Sequence, residues 1–211
     1  MITVLIADDH DIVREGVKQI VSETNDIVVG AEARSGAEAL DLARGGGWDV
    51  IILDLNLPDR PGLDVLTQLR GIAPVLILSM HSEASYASRA LRSGALGYVS
   101  KSSAREDLVP AIRNVARGER FLSPALAQLL AFDAMWPSGE RSHESLSGRE
   151  FQILCLIAAG KPPRDIATEL NVSVKTVATH RARLLQKMGL RNNAELVQYA
   201  IEHHLLPERG R

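Results

Sequence analysis

One cysteine, Cys155, occurs among the 211 residues, so no disulfide framework can form within the chain. It sits in the apolar helical run FQILCLIAAG with no activating partner close by in sequence. The expectation is a buried structural thiol in a reducing cytoplasm rather than a nucleophile. No apolar run approaches the ~18 residues of a membrane span, which predicts no membrane partner. The opening stretch MITVLIADDH is too short and too acidic for a secretory signal. Internal repeats and low-complexity tracts are missing as well, and 45% hydrophobic residues set the chain apart from disordered proteins.

Charge of one sign is also missing from the total, which is −2, but the two halves differ. Residues 1–120 carry 13 Lys+Arg against 17 Asp+Glu, whereas residues 146–191 carry 8 against 3. An acidic module followed by a basic one, suited to a polyanion, is the implication.

Five apolar runs of strand length occupy the first half: TVLIA (3–7), IVVGAEA (27–33), VIILD (50–54), VLILSM (75–80) and GYVSK (97–101). Helical periodicity separates them, over 11–23, 35–44, 61–70, 83–93 and 104–117. In 11–23 the spacing places Ile12, Val13, Val17, Ile20 and Val21 on one face. Strand alternating with helix predicts a doubly wound α/β domain with a five-stranded parallel sheet over residues 1–118. After Gly118 the alternation stops. A helix is expected over 123–135, with Ser123 as cap and Pro124 at its first position. The polar stretch WPSGERSHES (136–145) closes a linker that starts at 119, and four short helices follow, over 147–159, 163–170, 174–188 and 193–204. The linker therefore spans 119–143 and an all-α domain 144–211.

In an open parallel sheet, ligands bind beyond the carboxyl ends of the strands. There the sequence places Asp8 and Asp9, Asp54 with Asn56 two residues on, Ser79, and Lys101. Taken singly, each has an ordinary explanation: turn former, helix cap, solvated charge. Together they are harder to dismiss. Converging carboxylates repel unless a cation joins them, and oxygen ligands with room for water suit Mg²⁺. A lysine and a hydroxyl opposite would hold phosphoryl oxygens while an aspartate acts as nucleophile. A phosphohydrolase acting on external substrate would need a second acid/base and a substrate cap, which the short loops do not supply. A constitutive binder with a vestigial pocket would not need Asp8, Asp9, Asp54, Ser79 and Lys101 together.

The stretches LIADDHDIVREGV, DVIILDLNLPDRPGLDVL, ILSMHSE and ALGYVSKSSAREDLVPAI resemble the receiver domain of two-component response regulators, a flavodoxin-like fold. The resemblance implies that Asp54 accepts a phosphoryl group from a histidine kinase. It further implies that Asp9 holds Mg²⁺ directly and Asp8 through water, with the Asn56 backbone carbonyl and Asp54 as further ligands. Ser79 and Lys101 would bind phosphoryl oxygens, and Tyr98 would turn inward as Ser79 moves. Ser102 stands where many receivers carry proline, which affects the last loop.

Residues 164–188 show helix-turn-helix spacing, with Ile166, Ala167, Leu170, Val177, Leu184 and Met188 inside and a turn at Asn171. Between 173 and 191 there are five basic residues and no acidic one. An ordinary hairpin with a solvated basic face remains open on that segment alone. From LSGRE through KTVATHRARLLQKMG to QYAI, however, the chain resembles the LuxR-type DNA-binding domain of NarL/FixJ regulators. With the apolar stripe inside, Lys175, Ala178, Thr179 and Ala182 would face base edges in the major groove. Thr176, His180, Arg183 and Lys187 would position phosphates, with His180 at the core rim as the alternative. The family often has lysine where Ala178 stands, so contact with a thymine methyl is the expectation. It also differs at KPPRDIA, whose prolines remove backbone donors. The implied protein is a cytoplasmic transcription regulator rather than an enzyme, with a sensor kinase, promoter DNA and RNA polymerase as partners. Phosphorylation would favour a homodimer, with 193–204 as the face between DNA-binding domains.

Overall fold

The computed structural model describes residues 1–80, 84–124, 126–128, 130, 142–203 and 205. It divides after Gln128 into two compact units.

The first unit is a parallel sheet in the order β2-β1-β3-β4-β5-β6. Its strands are β1 (Ile2–Ala7), β2 (Ile27–Ala33), β3 (Val50–Leu53), β4 (Val75–Ser79), β5 (Gly97–Ser100) and β6 (Phe121–Leu122). The helices are α1 (Asp11–Ser22), α2 (Gly36–Arg44), α3 (Gly62–Leu69), α4 (Ala84–Arg92) and α5 (Ala104–Ala116). β3 is buried along its whole length, as a central parallel strand covered on both faces must be. Alternate residues Val4, Ile6, Val50, Ile52, Leu76, Leu78 and Val99 form one core with Val17 and Val21 of α1 and Leu108, Ile112 and Val115 of α5. α2 and α3 pack together, α2 also against β1 and β2. Ser35 caps α2, its hydroxyl accepting from the Glu38 N–H at 3.2 Å.

Three expectations need correction. The sheet has six strands, not five: Phe121 and Leu122 pair in parallel with Gly97 and Tyr98. Two residues are too few to show a strand period. β4 ends at Ser79, and Met80 is exposed. On α1, Ile12 is 82% exposed, while Arg14 is buried at 3%. The helix is turned because the Arg14 guanidinium finds acceptors beneath it: the Asp8 carbonyl at 2.8 Å, Glu32 at 2.9 Å and Asp11.

The second unit holds α6 (Gly148–Ala158), α7 (Pro163–Glu169), α8 (Val174–Met188) and α9 (Asn193–Glu202), preceded by a 3-10 turn, Ser142–Ser145. Each helical start has a chemical cause. Ser147 and Glu150 form a reciprocal capping box on α6, and Pro163 occupies the first turn of α7. Ser173 caps α8, which ends at Gly189 in the left-handed region, and Asn192 caps α9. Asn171, φ 49°, makes the turn between α7 and α8. α6 packs on α8 and α9, and α7 on α8. Cys155 is buried in α6. His143 is buried too, in a stretch whose polarity suggested only a linker; its ring pairs with Tyr199 Oη at 2.8 Å. Of the expected 123–135 helix, Ser123 behaves as the cap, its Oγ accepting from the Leu126 N–H at 3.3 Å. Positions 131–141 of that helix and linker lie outside the described residues.

Candidate functional site

Three strand ends hand their next residue to a neighbouring strand. The Asp8 N–H donates to Ala33 O at 3.1 Å, Asp54 N–H to Ala7 O at 2.9 Å, and Lys101 N–H to Ser79 O at 2.7 Å. Each functional backbone is thus fixed by the ladder although its residue lies beyond the strand. The sheet thus holds the Asp54 carboxylate in place rather than releasing it to solvent.

Asp8 and Asp54 are each 2% exposed, Ser79 is fully buried, and Asp9 and His10 form the open rim. Lys101 Nζ donates to Asp54 Oδ2 at 2.8 Å and forms an ion pair with Asp8 Oδ2 at 2.6 Å. The other Asp54 oxygen accepts from the Leu55 N–H at 2.7 Å. Burial pushes the Asp54 carboxyl up to about 6; Lys101 opposes this and Asp8 adds to it. Burial also disfavours the Lys101 ammonium, but the two aspartates outweigh it and hold the lysine charged.

The donor atoms of Asp8, Asp9, His10 and Asp54 lie within 4.8 Å of one another. Asp8 Oδ2 is buried with the Lys101 ammonium as its charged neighbour. A hard divalent cation fits such a set, because it removes the repulsion among the carboxylates. Asn56 sits in the adjoining loop, bridged to Pro61, and its N–H donates to Asp54. Tyr98 is 1% exposed on β5. The structure therefore gathers Asp8, Asp9, Asp54 and Lys101 around one point, with Asn56 beside Asp54 and Ser79 closing β4.

Sequence reasoning missed His10, Arg14 and Gly62. His10 was visible in DDH as the residue next to the acidic pair, and its ring Nδ1 lies 2.7 Å from Asp9 Oδ1. Arg14 and Gly62 act on the backbone of Asp8 and Asp54, which no residue pattern displays.

In the second unit, Val177 and Leu184 of α8 are buried, so Lys175, Ala178, Thr179 and Ala182 are exposed as expected. Arg183 is exposed and Thr176 half-buried. His180 is half-buried: Nδ1 has no hydrogen-bond partner among the described residues, and burial together with Arg149 lowers its pKa. Lys187 is tied to Glu150 Oε2 at 2.7 Å, a carboxylate buried under the α6 cap.

A phosphoacceptor-like acidic pocket on a doubly wound sheet, joined to a helix-turn-helix with a basic exposed face, defines a signal-responsive DNA-binding class. Residues 4–113 match the response regulator receiver domain, and residues 144–200 the bacterial regulatory proteins of the luxR family. Response regulator UvrY of Escherichia coli K12 is 35% identical over 209 residues, covering 97% of this chain and 96% of UvrY. Transcriptional regulatory protein UhpA of Salmonella typhimurium is 40% identical over 196 residues, covering 93% of this chain and 96% of its own. Among solved structures, RcsB of Salmonella enterica serovar Typhimurium, bound to promoter DNA with phosphomimetic BeF3-, superposes with TM-score 0.62. That pair shares 26% identity over 94% of this chain and 97% of RcsB. The chain belongs to the two-component response regulators of the NarL/FixJ family, with a receiver and a LuxR-type DNA-binding domain.

Proposed function

We propose that this regulator is switched by phosphorylation of Asp54 and that the phosphorylated form binds promoter DNA as a dimer. The observation that carries the reading is the buried Asp54 carboxylate, held between the Lys101 ammonium and the Asp8–Asp9 pair. A sensor histidine kinase is the donor: an Asp54 oxygen attacks phosphorus, the phosphorus–nitrogen bond of the phosphohistidine breaks, and the electron pair returns to its imidazole.

Asp8, Asp9, Asp54 and the Asn56 carbonyl would hold Mg²⁺, which supplies charge neutralisation for the transferred group. The remaining work falls to the chain itself. The Leu55 N–H orients one Asp54 oxygen. Lys101 leaves its pairing with the carboxylates to meet a phosphoryl oxygen, and the Ser79 hydroxyl meets another. Phosphorylation adds about −1.5 to −2 charge and three acceptors at this point. Tyr98 is already buried, so its response to Ser79 is a repacking within the core rather than a passage from solvent. That change is read at the surface of α4, β5 and α5.

On DNA, Lys175, Ala178, Thr179 and Ala182 face base edges, and Thr176 and Arg183 face phosphates. His180 is half-buried, where burial and Arg149 disfavour its charged form, and Lys187 pairs with Glu150. α9 presents the 57% exposed Ile201 for the contact between DNA-binding domains, and RNA polymerase is the further partner. The LuxR-type DNA-binding domain supports work in the cytoplasm. Among the described residues, no helix is long and apolar enough to cross a membrane.

The test is intact-mass analysis after incubation with acetyl phosphate and Mg²⁺, followed by a DNA shift assay. One phosphoryl group is expected on wild type and none on Asp54→Ala, with tighter promoter binding by the modified form alone. A mass gain on another residue, or equal binding by both proteins, would refute the reading.

A further inference from the structure

We propose that Asp59 is a positioning residue for the phosphoryl transfer: it clamps the loop of residues 55–61 onto α2 and so holds Asn56 and the Asp54 oxygens in place. The inference rests on Asp54 being the phosphoacceptor proposed above. The loop leaves β3 directly after Asp54 and returns as α3. Its base is closed by the bridge between Asn56 and Pro61 and by the Gly62 N–H on Leu55 O at 2.8 Å. Leu55 and Leu57, both buried, fasten its first half. At the apex stands Asp59, and there the anchor is polar.

Both carboxylate oxygens of Asp59 reach out of the loop. Oδ1 accepts from the Gly36 N–H at 2.7 Å and Oδ2 from the Ala37 N–H at 2.9 Å. These are the first two N–H groups of α2, which a helix cannot satisfy from within. The helix's own cap, Ser35, serves the Glu38 N–H instead. Burial raises the Asp59 carboxyl, but the Gly36 and Ala37 N–H groups and Arg60 outweigh it and leave it below the usual carboxylate range. Negative charge is favoured at such a helix start. Packing is an independent sign of the same clamp. A β-carbon at Gly36 would stand 2.6 Å from Arg60 Cγ and 2.7 Å from Val65 Cγ2, so loop and α3 press on the first turn of α2 as closely as glycine allows. An aspartate acting only as a turn former would bond its own neighbours, not the start of a helix 22 positions away.

The clamp bears on the chemistry because the same loop supplies the groups that orient the phosphoacceptor. The Leu55 N–H donates to Asp54 Oδ1 at 2.7 Å, and the Asn56 N–H also reaches the Asp54 carboxylate. The Asn56 carbonyl is the cation ligand proposed above. Released at its apex, the loop would pivot on the Asn56–Pro61 bridge and carry these groups with it. A misplacement of about 1 Å can cost about a hundred-fold in rate.

The full chain is compared as wild type, Asp59→Ala, Asp59→Asn and Gly36→Ala, at a temperature where circular dichroism shows each folded. Calorimetry gives the Mg²⁺ affinity, and intact mass gives the rate of phosphorylation by acetyl phosphate at saturating Mg²⁺. Asp26→Ala is the control for stability alone, since it breaks two bonds to Arg113 before β2, at the opposite end of the sheet. Asp59→Ala is expected to lose about ten-fold in both measurements, as for groups that orient metal ligands. Asp59→Asn, which keeps one acceptor oxygen, should lose less, and Asp26→Ala should match wild type. Gly36→Ala should reproduce the Asp59→Ala loss with the carboxylate still present. Wild-type values in Asp59→Ala or in Gly36→Ala, or an equal loss in Asp26→Ala, would overturn the inference while phosphorylation of Asp54 in wild type stands. A wild type that takes up no phosphoryl group would overturn the phosphoacceptor reading and the inference with it.

Discussion

A β-carbon at Gly62 would stand 2.2 Å from the Asp54 carbonyl oxygen and 2.6 Å from Leu55 Cα. The first residue of α3 is thus seated on the backbone of the proposed phosphoacceptor, with its N–H donating to Leu55 O at 2.8 Å. Any side chain there must separate helix and strand end. Gly62→Ala is expected to cost about 1–3 kcal/mol in urea unfolding, in the range of overpacked cores. It should also slow phosphorylation by acetyl phosphate several-fold, because Asp54 is displaced. Gly16→Ala is the control. It lies within α1 with nothing within 4 Å of the added carbon, so the helix should gain up to about 1 kcal/mol.

The buried Asp54 charge has a thermodynamic signature of its own. Its folded-state pKa is raised to about 6 from 3.8, so folding binds the proton more tightly than the unfolded chain does. That stabilisation is complete below the unfolded value and is lost as pH rises through about 6. In EDTA, Asp54→Asn should therefore gain on wild type between pH 4 and pH 7, by about 3 kcal/mol for a shift of roughly two units. Mg²⁺ should reverse the order at pH 7 by binding the folded wild type. Denaturant melts across this range check both; equal slopes for the two proteins would contradict the burial argument.

Arg14 links three elements, taking the Asp8 carbonyl, Glu32 on β2 and Asp11 on α1. Arg14→Met keeps much of the buried volume but strands the carbonyl and removes one partner of Glu32, which retains Lys18. A loss of about 2 kcal/mol is expected, as for unsatisfied buried groups. Mg²⁺ affinity measured by calorimetry should fall too, since the Asp8–Asp9 turn is released. Arg14→Lys should recover only part of either, lacking the fork that reaches two acceptors at once.

The proposed pocket was largely legible because strand ends are. Apolar runs closing in Asp54, Ser79 and Lys101 mark where a parallel sheet stops, and topology brings those stops together. The outward face of α8 was legible for a similar reason, since Val177 and Leu184 fix the helical phase. Backbone partners lie beyond such reasoning. Ile12 and Arg14 exchange their expected burial because the stabilising acceptor is a carbonyl six residues away and a carboxylate on another strand. The pairing of Lys187 with Glu150 was not legible, because Glu150, 37 positions distant, gives no periodic sign of facing it. His143 hides in a polar stretch whose partner, Tyr199, lies 56 residues further on.

Two cations of α8 should consequently behave differently. Arg183 is exposed, so as a phosphate ligand its loss should weaken binding alike for all sequences. Arg183→Ala should reduce the slope of log affinity against log salt by about 0.9, one released counterion. Lys187 instead compensates Glu150, whose burial raises its pKa but is outweighed by Lys187 and the Ser147 N–H, leaving it below the ordinary value. Lys187→Met leaves that carboxylate with the Ser147 N–H and hydroxyl. Because the lysine is 43% exposed and screened, the expected cost is about 1 kcal/mol, not the larger figure for a fully buried pair. A depressed carboxylate stabilises above its unfolded pKa and loses that contribution as pH falls, so the penalty should shrink toward pH 4. The salt slope of DNA binding should stay close to wild type. A slope reduced as much as in Arg183→Ala, with unchanged stability, would place Lys187 on the phosphates after all.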